Sequence, residues 1–391
     1  MLLAWGANSR GQLGVDSFED RFLPTPVRTE ESVEQVAVGG PQALFLGRSG
    51  RVFFCGGDVA VPRALPRFSQ VPVERIACGW AHSAAITSDG LWTWGENDFG
   101  QLGLGHTKEC EQPTRVDSFH GFSVTQVACG LRHTIAATNS IDAGQSEESF
   151  LWAWGHSGHG RLGVEDTPRI ASSPIRVPWT GAARSVSCGS EHSAVVASLD
   201  GSTWTWGRGL HNRHGHPLTF NVSTPRRVDG LPPALSVSCG WSNTVVLTVE
   251  GAVIACGASR FGQLGPAPPC VDAAVSSEPA AASDLVAAEV SAATPDYLGN
   301  SVWRHVPLGT ASGDRCVQAV LGSEHITALT ERGDVFVWGW GEHGQLGTGD
   351  CNDVSSPVRV PVSRNDDPQD SKDEPVRLIA AGGAVTMVLL R

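Results

Sequence analysis

Three groups of residues in this 391-residue chain have the types that chemistry needs. Glu342-His343 sets a carboxylate beside an imidazole, the pairing a general acid–base site uses. His211, His214 and His216 in GLHNRHGH could offer nitrogen ligands to a metal. His82, His133, His192 and His325 each stand three residues after a glycine, and three of those glycines follow Cys78, Cys129 and Cys188; Cys239 opens a similar step.

Spacing weakens each reading. Glu342-His343 has counterparts in Asp98-Phe99 and Gly158-His159, so the pair is one version of a repeated loop. No carboxylate or thiol lies beside the GLHNRHGH histidines, and none of the ten cysteines forms a C-x-x-C pair. There is no P-loop glycine pattern, no nucleophile elbow, and no unrepeated His/carboxylate set. The expectation is a protein that is not an enzyme and uses no metal and no cofactor.

The candidates belong to two alternating motifs. The first reads LLAWGANSRGQLG at Leu2–Gly14, LWTWGENDFGQLG at 91–103, LWAWGHSGHGRLG at 151–163, AVIACGASRFGQLG at 252–265 and VFVWGWGEHGQLG at 335–347, with weaker copies at Val52–Gly57 and Thr203–Gly207. The second reads IACGWAHSAAI from Ile76, VACGLRHTIAA from Val127, VSCGSEHSAVV from Val186, VSCGWSNTVVL from Val237 and VLGSEHITAL from Val320, with decayed forms from Val36 and Ile379. From each second-motif glycine to the next first-motif glycine the gaps are 17, 16, 25, 18, 17 and 17 residues. A residue type repeated in this way is a frame residue before it is a ligand.

Elements follow from these words. LWTW and TWTW alternate large apolar with small residues, as strands with one buried face do. Apolar strands follow each second-motif glycine, and turns such as Ser88–Gly90 separate them. Four short strands fit a unit, and seven units around an axis make an all-β, single seven-bladed propeller over residues 1–391. From Gly382 the next first motif falls beyond Arg391, while Leu2–Gly6 supplies the missing strand. Pairing that N-terminal strand into the last blade removes both sheet edges. In this frame glycines allow close approach, tryptophans satisfy their N–H locally, and the GQLG leucine plugs between blades.

Residues 266–309 read as a low-complexity surface insertion that lengthens one interval to 82 residues, 365–374 as an acidic surface loop, and 139–149 as a smaller loop. The net charge of −12, without a Lys/Arg cluster beyond short pairs such as Arg226-Arg227, argues against direct nucleic-acid binding. No apolar run is long enough to span a membrane, and isolated cysteines suit a reducing compartment, so the expected location is the cytoplasm and also the nucleus.

The paired motifs resemble the repeats of the regulator of chromosome condensation family, on Trp5–Gly14, Trp94–Gly103, Cys78–Ser83, Cys129–Thr134, Cys188–Ser193 and the split terminal repeat. The resemblance spans the chain and implies a seven-bladed propeller. It leaves function open, because the family includes an exchange factor for the Ran GTPase, a light receptor and binding modules. Less repetitive words, among them Ala128–Thr138, Gly322–His325 and Trp338–Gly344, look like the secretion-regulating guanine nucleotide exchange factor and the fungal alpha-tubulin suppressor protein. The first likeness implies a docking partner that is a small GTPase. The second implies a small zinc-binding protein of diphthamide synthesis and Elongator-dependent tRNA modification. Either way the chain is expected to act as a monomer. Residues that vary just after the second-motif glycines form the expected partner face: Trp80, Arg132, Glu191, Trp241 and Glu324, with Glu342. The tryptophans would be anchors, and Glu191, Glu324 and Glu342 would pair with basic groups on the partner.

Overall fold

The computed structural model describes residues 1–141, 149–217, 220–266, 302–310, 314–362 and 375–391. Its strands form seven four-stranded antiparallel sheets. Blade 4 shows the plan: Ala183–Cys188, His192–Ala197, Thr203–Gly207 and Val222–Arg227 follow one another in chain order. Blades 1, 2 and 3 start at Val33, Val73 and Phe122, and blades 5 and 6 at Ala234 and Cys316. The second strand of a blade, such as His82–Thr87 or Asn243–Thr248, is buried along its whole length. It lies between neighbouring blades, so both of its faces are buried rather than one.

Blade 7 closes the ring. Leu2–Gly6 pairs with Val385–Leu390, from Leu2 opposite Leu389 to Gly6 opposite Val385. Its other edge pairs with Arg21–Val27, so the N-terminus contributes two of the four strands, where the sequence reading assigned one. The apolar core sits at the seams. Seven clusters of buried side chains each draw on two successive blades, and the cluster joining blades 7 and 1 holds Met387 and Leu389 with Phe45 and Phe53.

The repeated residues bolt these seams. His82 of blade 2 lies 2.9 Å from the Thr134 hydroxyl of blade 3, which donates to the Gln101 carbonyl at 2.7 Å. The Trp154 indole donates to that same carbonyl at 2.8 Å. The pattern recurs through His133, Ser193, Arg161 and Trp206, and through His325, Thr386, Gln345 and Trp5. The tryptophan N–H is thus satisfied by the neighbouring blade, not locally as the strand pattern suggested. Leu13, Leu102, Leu162 and Leu346 are fully buried as the expected plugs. Gly79 is required because a β-carbon there would stand 2.4 Å from the His82 ring.

Blade 5 departs from the plan in a compensated way. Cys256 replaces the motif tryptophan and reaches the Arg213 carbonyl through its thiol at 3.6 Å. The missing indole comes from Trp303, fully buried, whose N–H donates to the Gly215 carbonyl at 2.8 Å. Arg304–His305 is the fourth strand of that blade, and Val306 is buried. The stretch 266–309, expected as a surface insertion, therefore ends in packed structure; a large apolar ring fills the volume that Cys256 leaves. Residues 365–374 lie outside the described residues. Among the described residues no helix is long and apolar enough to cross a membrane.

Candidate docking face

The innermost strand of each blade lines a central channel of about 330 Å³. At one mouth, backbone amides just after the second-motif glycines donate from blade to blade. Gly40 donates to Trp80, Trp80 to Gly130, Leu131 to Gly189, Ser190 to Gly240, Trp241 to Ser323 and Ser323 to Gly383, at 2.7–3.2 Å. This belt fixes the backbone while leaving the side chains free to differ, so the mouth is a rigid platform for variable residues.

Trp80 of blade 2 and Trp241 of blade 5 meet here edge to face, ring centroids 5.5 Å apart, with 40% and 39% of their surface exposed. They pack on each other and still present aromatic surface to solvent. They form one wall of a groove of about 830 Å³. Phe261, Trp340 and His343 continue its aromatic lining, with Trp340 and His343 edge to face at 5.3 Å. Arg10 and Arg260 stand among them, as do Asp20, Glu324 and Glu342. The groove thus combines aromatic surface with charges of both signs.

Of the residues expected on the partner face, Trp80, Trp241, Glu324 and Glu342 line this one groove. Glu342 is exposed and accepts the Trp340 indole N–H at 3.2 Å. Glu324 is half-buried and accepts from the Gln263 amide at 2.7 Å; burial raises its carboxyl above the usual range despite that bond and one from Ser242. His343 pairs with Asp20 across the seam of blades 6 and 7, with 3.0 Å between Nδ1 and the carboxylate.

Arg132 and Glu191 fall in the adjoining sector, at blades 3 and 4. Arg132 is exposed with its guanidinium 4.4 Å above the Phe99 ring. Glu191 does not wait for a basic partner. It already receives Arg208, with Arg161 at 3.3 Å, Arg213 at 3.5 Å and His159 at 3.5 Å. Burial pushes its carboxyl up, but the Arg208 hydrogen bond and the Arg161 charge outweigh that and hold it below the usual range. The arginines escaped the sequence reading, although a signal existed: Arg161 and Arg213 occupy the GQLG glutamine position held by Gln12, Gln101, Gln263 and Gln345.

The repeated histidines are frame residues. All four are fully buried, and burial lowers His82 to about 3 and His325 to about 4, with His133 and His192 also driven well below the ordinary value. His214 and His216 are buried against Thr205 and the Phe220 carbonyl. Among the described residues no group of three or more His, Cys, Asp or Glu is arranged to hold a metal.

The fold is a closed seven-bladed β-propeller that carries an aromatic groove at one mouth. Residues 57–388 match the RCC1-like domain, and residues 1–46 match the regulator of chromosome condensation (RCC1) repeat. The chain belongs to the RCC1-like family. It is 30% identical to the secretion-regulating guanine nucleotide exchange factor of Mus musculus, over 92% of this chain and 78% of that protein. It is 29% identical to the ultraviolet-B receptor UVR8 of Arabidopsis thaliana, over 91% of this chain and 77% of that one. Among solved structures, Prp20p of Saccharomyces cerevisiae, studied with its binding to Gsp1p and histones, superposes with a TM-score of 0.77 at 21% identity, covering 99% of this chain and 90% of that chain. The likeness to Prp20p establishes the fold.

Proposed function

We propose that this protein is a non-catalytic regulator that docks a small GTPase on the Trp80–Trp241 mouth and acts in the manner of a guanine nucleotide exchange factor. One observation carries the reading. Four of the side chains expected from sequence to face a partner line one aromatic groove, on a backbone belt that does not deform easily. Similarity to the secretion-regulating exchange factor across most of the chain supports the same class of partner. Exchange of this kind needs no reacting group. A surface that binds the nucleotide-free GTPase more tightly than the loaded one weakens nucleotide binding in the complex by that differential, and release accelerates to the extent that the weakening falls on the dissociation step. The proposal includes action as a monomer in the cytoplasm and nucleus; free thiols at all nine described cysteines suit those reducing compartments.

The test is release of a fluorescent guanine nucleotide from a panel of small GTPases. Release should accelerate at least tenfold with one of them, and Trp80→Ala with Trp241→Ala should weaken that complex by about 2 kcal/mol or more. Release at the spontaneous rate across the panel would overturn the reading. A small zinc-binding protein co-eluting in stoichiometric amount would then favour the modification partner instead.

A further inference from the structure

The Glu191 cluster has a geometry that the groove does not explain. Arg161 and Arg213 are all but buried, with 3% and 4% of their side chains exposed. Both are fixed by the backbone: Arg161 donates to the Gly158 and Ser190 carbonyls, and Arg213 to the Leu210 and Trp241 carbonyls. Arg208 stands at the edge, 34% exposed, and His159 faces it with 40% exposed. A single carboxylate fills the centre. One of its oxygens meets Arg161 and His159, and the other meets Arg208 and Arg213. Three permanent positive charges face Glu191, and Glu324 also acts on Arg213, which leaves an excess of one; the exposed Arg132 adds a second from the same sector. This happens on a chain whose net charge is −12. Burial, together with the repulsion of Arg132, Arg208 and Arg213, lowers even the Arg161 guanidinium to about 10.

Arginine geometry matches carboxylate geometry, two N–H donors to two oxygens. The cluster displays the ligand it is shaped for, because Glu191 already binds there. Its surplus charge lies toward the open side, where Arg132 and Arg208 reach solvent.

We propose that the Arg132–Arg161–Arg208–Arg213 sector is a carboxylate cradle that receives an acidic segment of the protein partner, with Glu191 as its internal placeholder. This rests on the reading that a partner docks at this mouth, and it names the chemistry of one contact. An Asp or Glu side chain arriving beside Arg132 and Arg208 neutralises the excess that Glu191 leaves. The same mouth is then divided, with aromatic anchorage where Trp80 of blade 2 meets blades 5 and 6, and carboxylate capture at blades 3–4. Because the charges sit on rigid backbone, the contact contributes to orientation and on-rate more than to raw affinity.

The experiment uses peptides and is independent of nucleotide exchange. A fluorescein-labelled hexaglutamate peptide is titrated by fluorescence anisotropy against the full chain, with hexaglutamine and a hexathymidylate oligonucleotide as controls. Glu191→Gln, which keeps the shape and removes the charge, should tighten hexaglutamate binding at least tenfold while leaving hexaglutamine unbound. Arg132→Glu and Arg208→Ala alter exposed or part-exposed side chains and should each weaken binding by the native chain at least fivefold; Arg132→Glu should leave the melting temperature unmoved, and Arg208→Ala should still unfold in a single cooperative transition. If Glu191→Gln fails to fold, these two variants decide alone. Equal binding of hexaglutamine, or no change in Arg132→Glu and Arg208→Ala, overturns the cradle. So does tighter binding of the oligonucleotide than of hexaglutamate, which would make the sector a phosphate surface. Failure of the exchange assay with success here would leave the cradle standing and remove only the GTPase.

Discussion

Acid should unfold this protein earlier than its carboxylates alone would, and the repeated histidines give the reason. In each seam the hydroxyl facing the ring spends its one hydrogen on a carbonyl, as Thr134 does on Gln101 and Thr386 on Gln345. The ring must therefore donate from Nε2, which leaves Nδ1 bare, and Nδ1 of His82, His133, His192 and His325 has no partner. A proton there would be a buried charge without an acceptor, held over a glycine that allows no retreat. The folded values lie below the unfolded value near 6.5, so the unfolded chain takes up protons first. Stability is at its full level above about pH 6.5 and falls as pH drops toward the folded values of about 3 for His82 and about 4 for His325. By pH 5 each of these two has cost about 2 kcal/mol, or about 4 together, at 1.36 kcal/mol per pH unit of mismatch. His133 and His192 add in the same direction, while the raised Glu324 carboxyl opposes them weakly. Urea unfolding at pH 7.5 and pH 5.0 measures the loss, and calorimetry in buffers of different ionisation enthalpy counts the protons taken up. Asn243 holds the histidine position in blade 5, so His82→Asn with His325→Asn follows a substitution the fold already tolerates. That pair should remove about 4 kcal/mol of the pH dependence. Equal stability at the two pH values, or an undiminished dependence in the double variant, would refute the tautomer argument.

Other outcomes follow from the same geometry. Deleting residues 1–27 removes two strands of blade 7 and should yield insoluble protein or a large fall in melting temperature, whereas a soluble chain with an unshifted transition would mean that the ring does not depend on closure. Trp303→Ala should cost about 3–5 kcal/mol by chemical denaturation, since it empties a fully buried indole site; a change under about 1 kcal/mol would show that Trp303 does not replace the missing blade-5 tryptophan. Glu191→Lys should lower the melting temperature, because a fourth cation would join Arg161, Arg208 and Arg213, while Glu342→Lys on an exposed side chain should leave it unchanged within about 0.5 kcal/mol.

The ring was legible in the sequence because a repeat must bury the same faces in every copy. Periodic WG and CG words, the leucine plugs and the terminal split determined strand type, blade number and closure, and the variable residues after each glycine marked the mouth where Trp80 and Trp241 stand. Only the tertiary structure decided what those residues do there. Trp80 and Trp241 lie 161 positions apart in blades that are not neighbours, and they touch because the channel is narrow. Glu191 reads as a free acidic contact until Arg161, from the preceding blade, and Arg208 and Arg213 arrive around it. Trp303 reads as part of a surface insertion until the gap left by Cys256 is seen to lie beside it. Local patterns record which face of a strand is buried; they carry no record of which side chain from another blade will be waiting there, because that depends on how the ring closes.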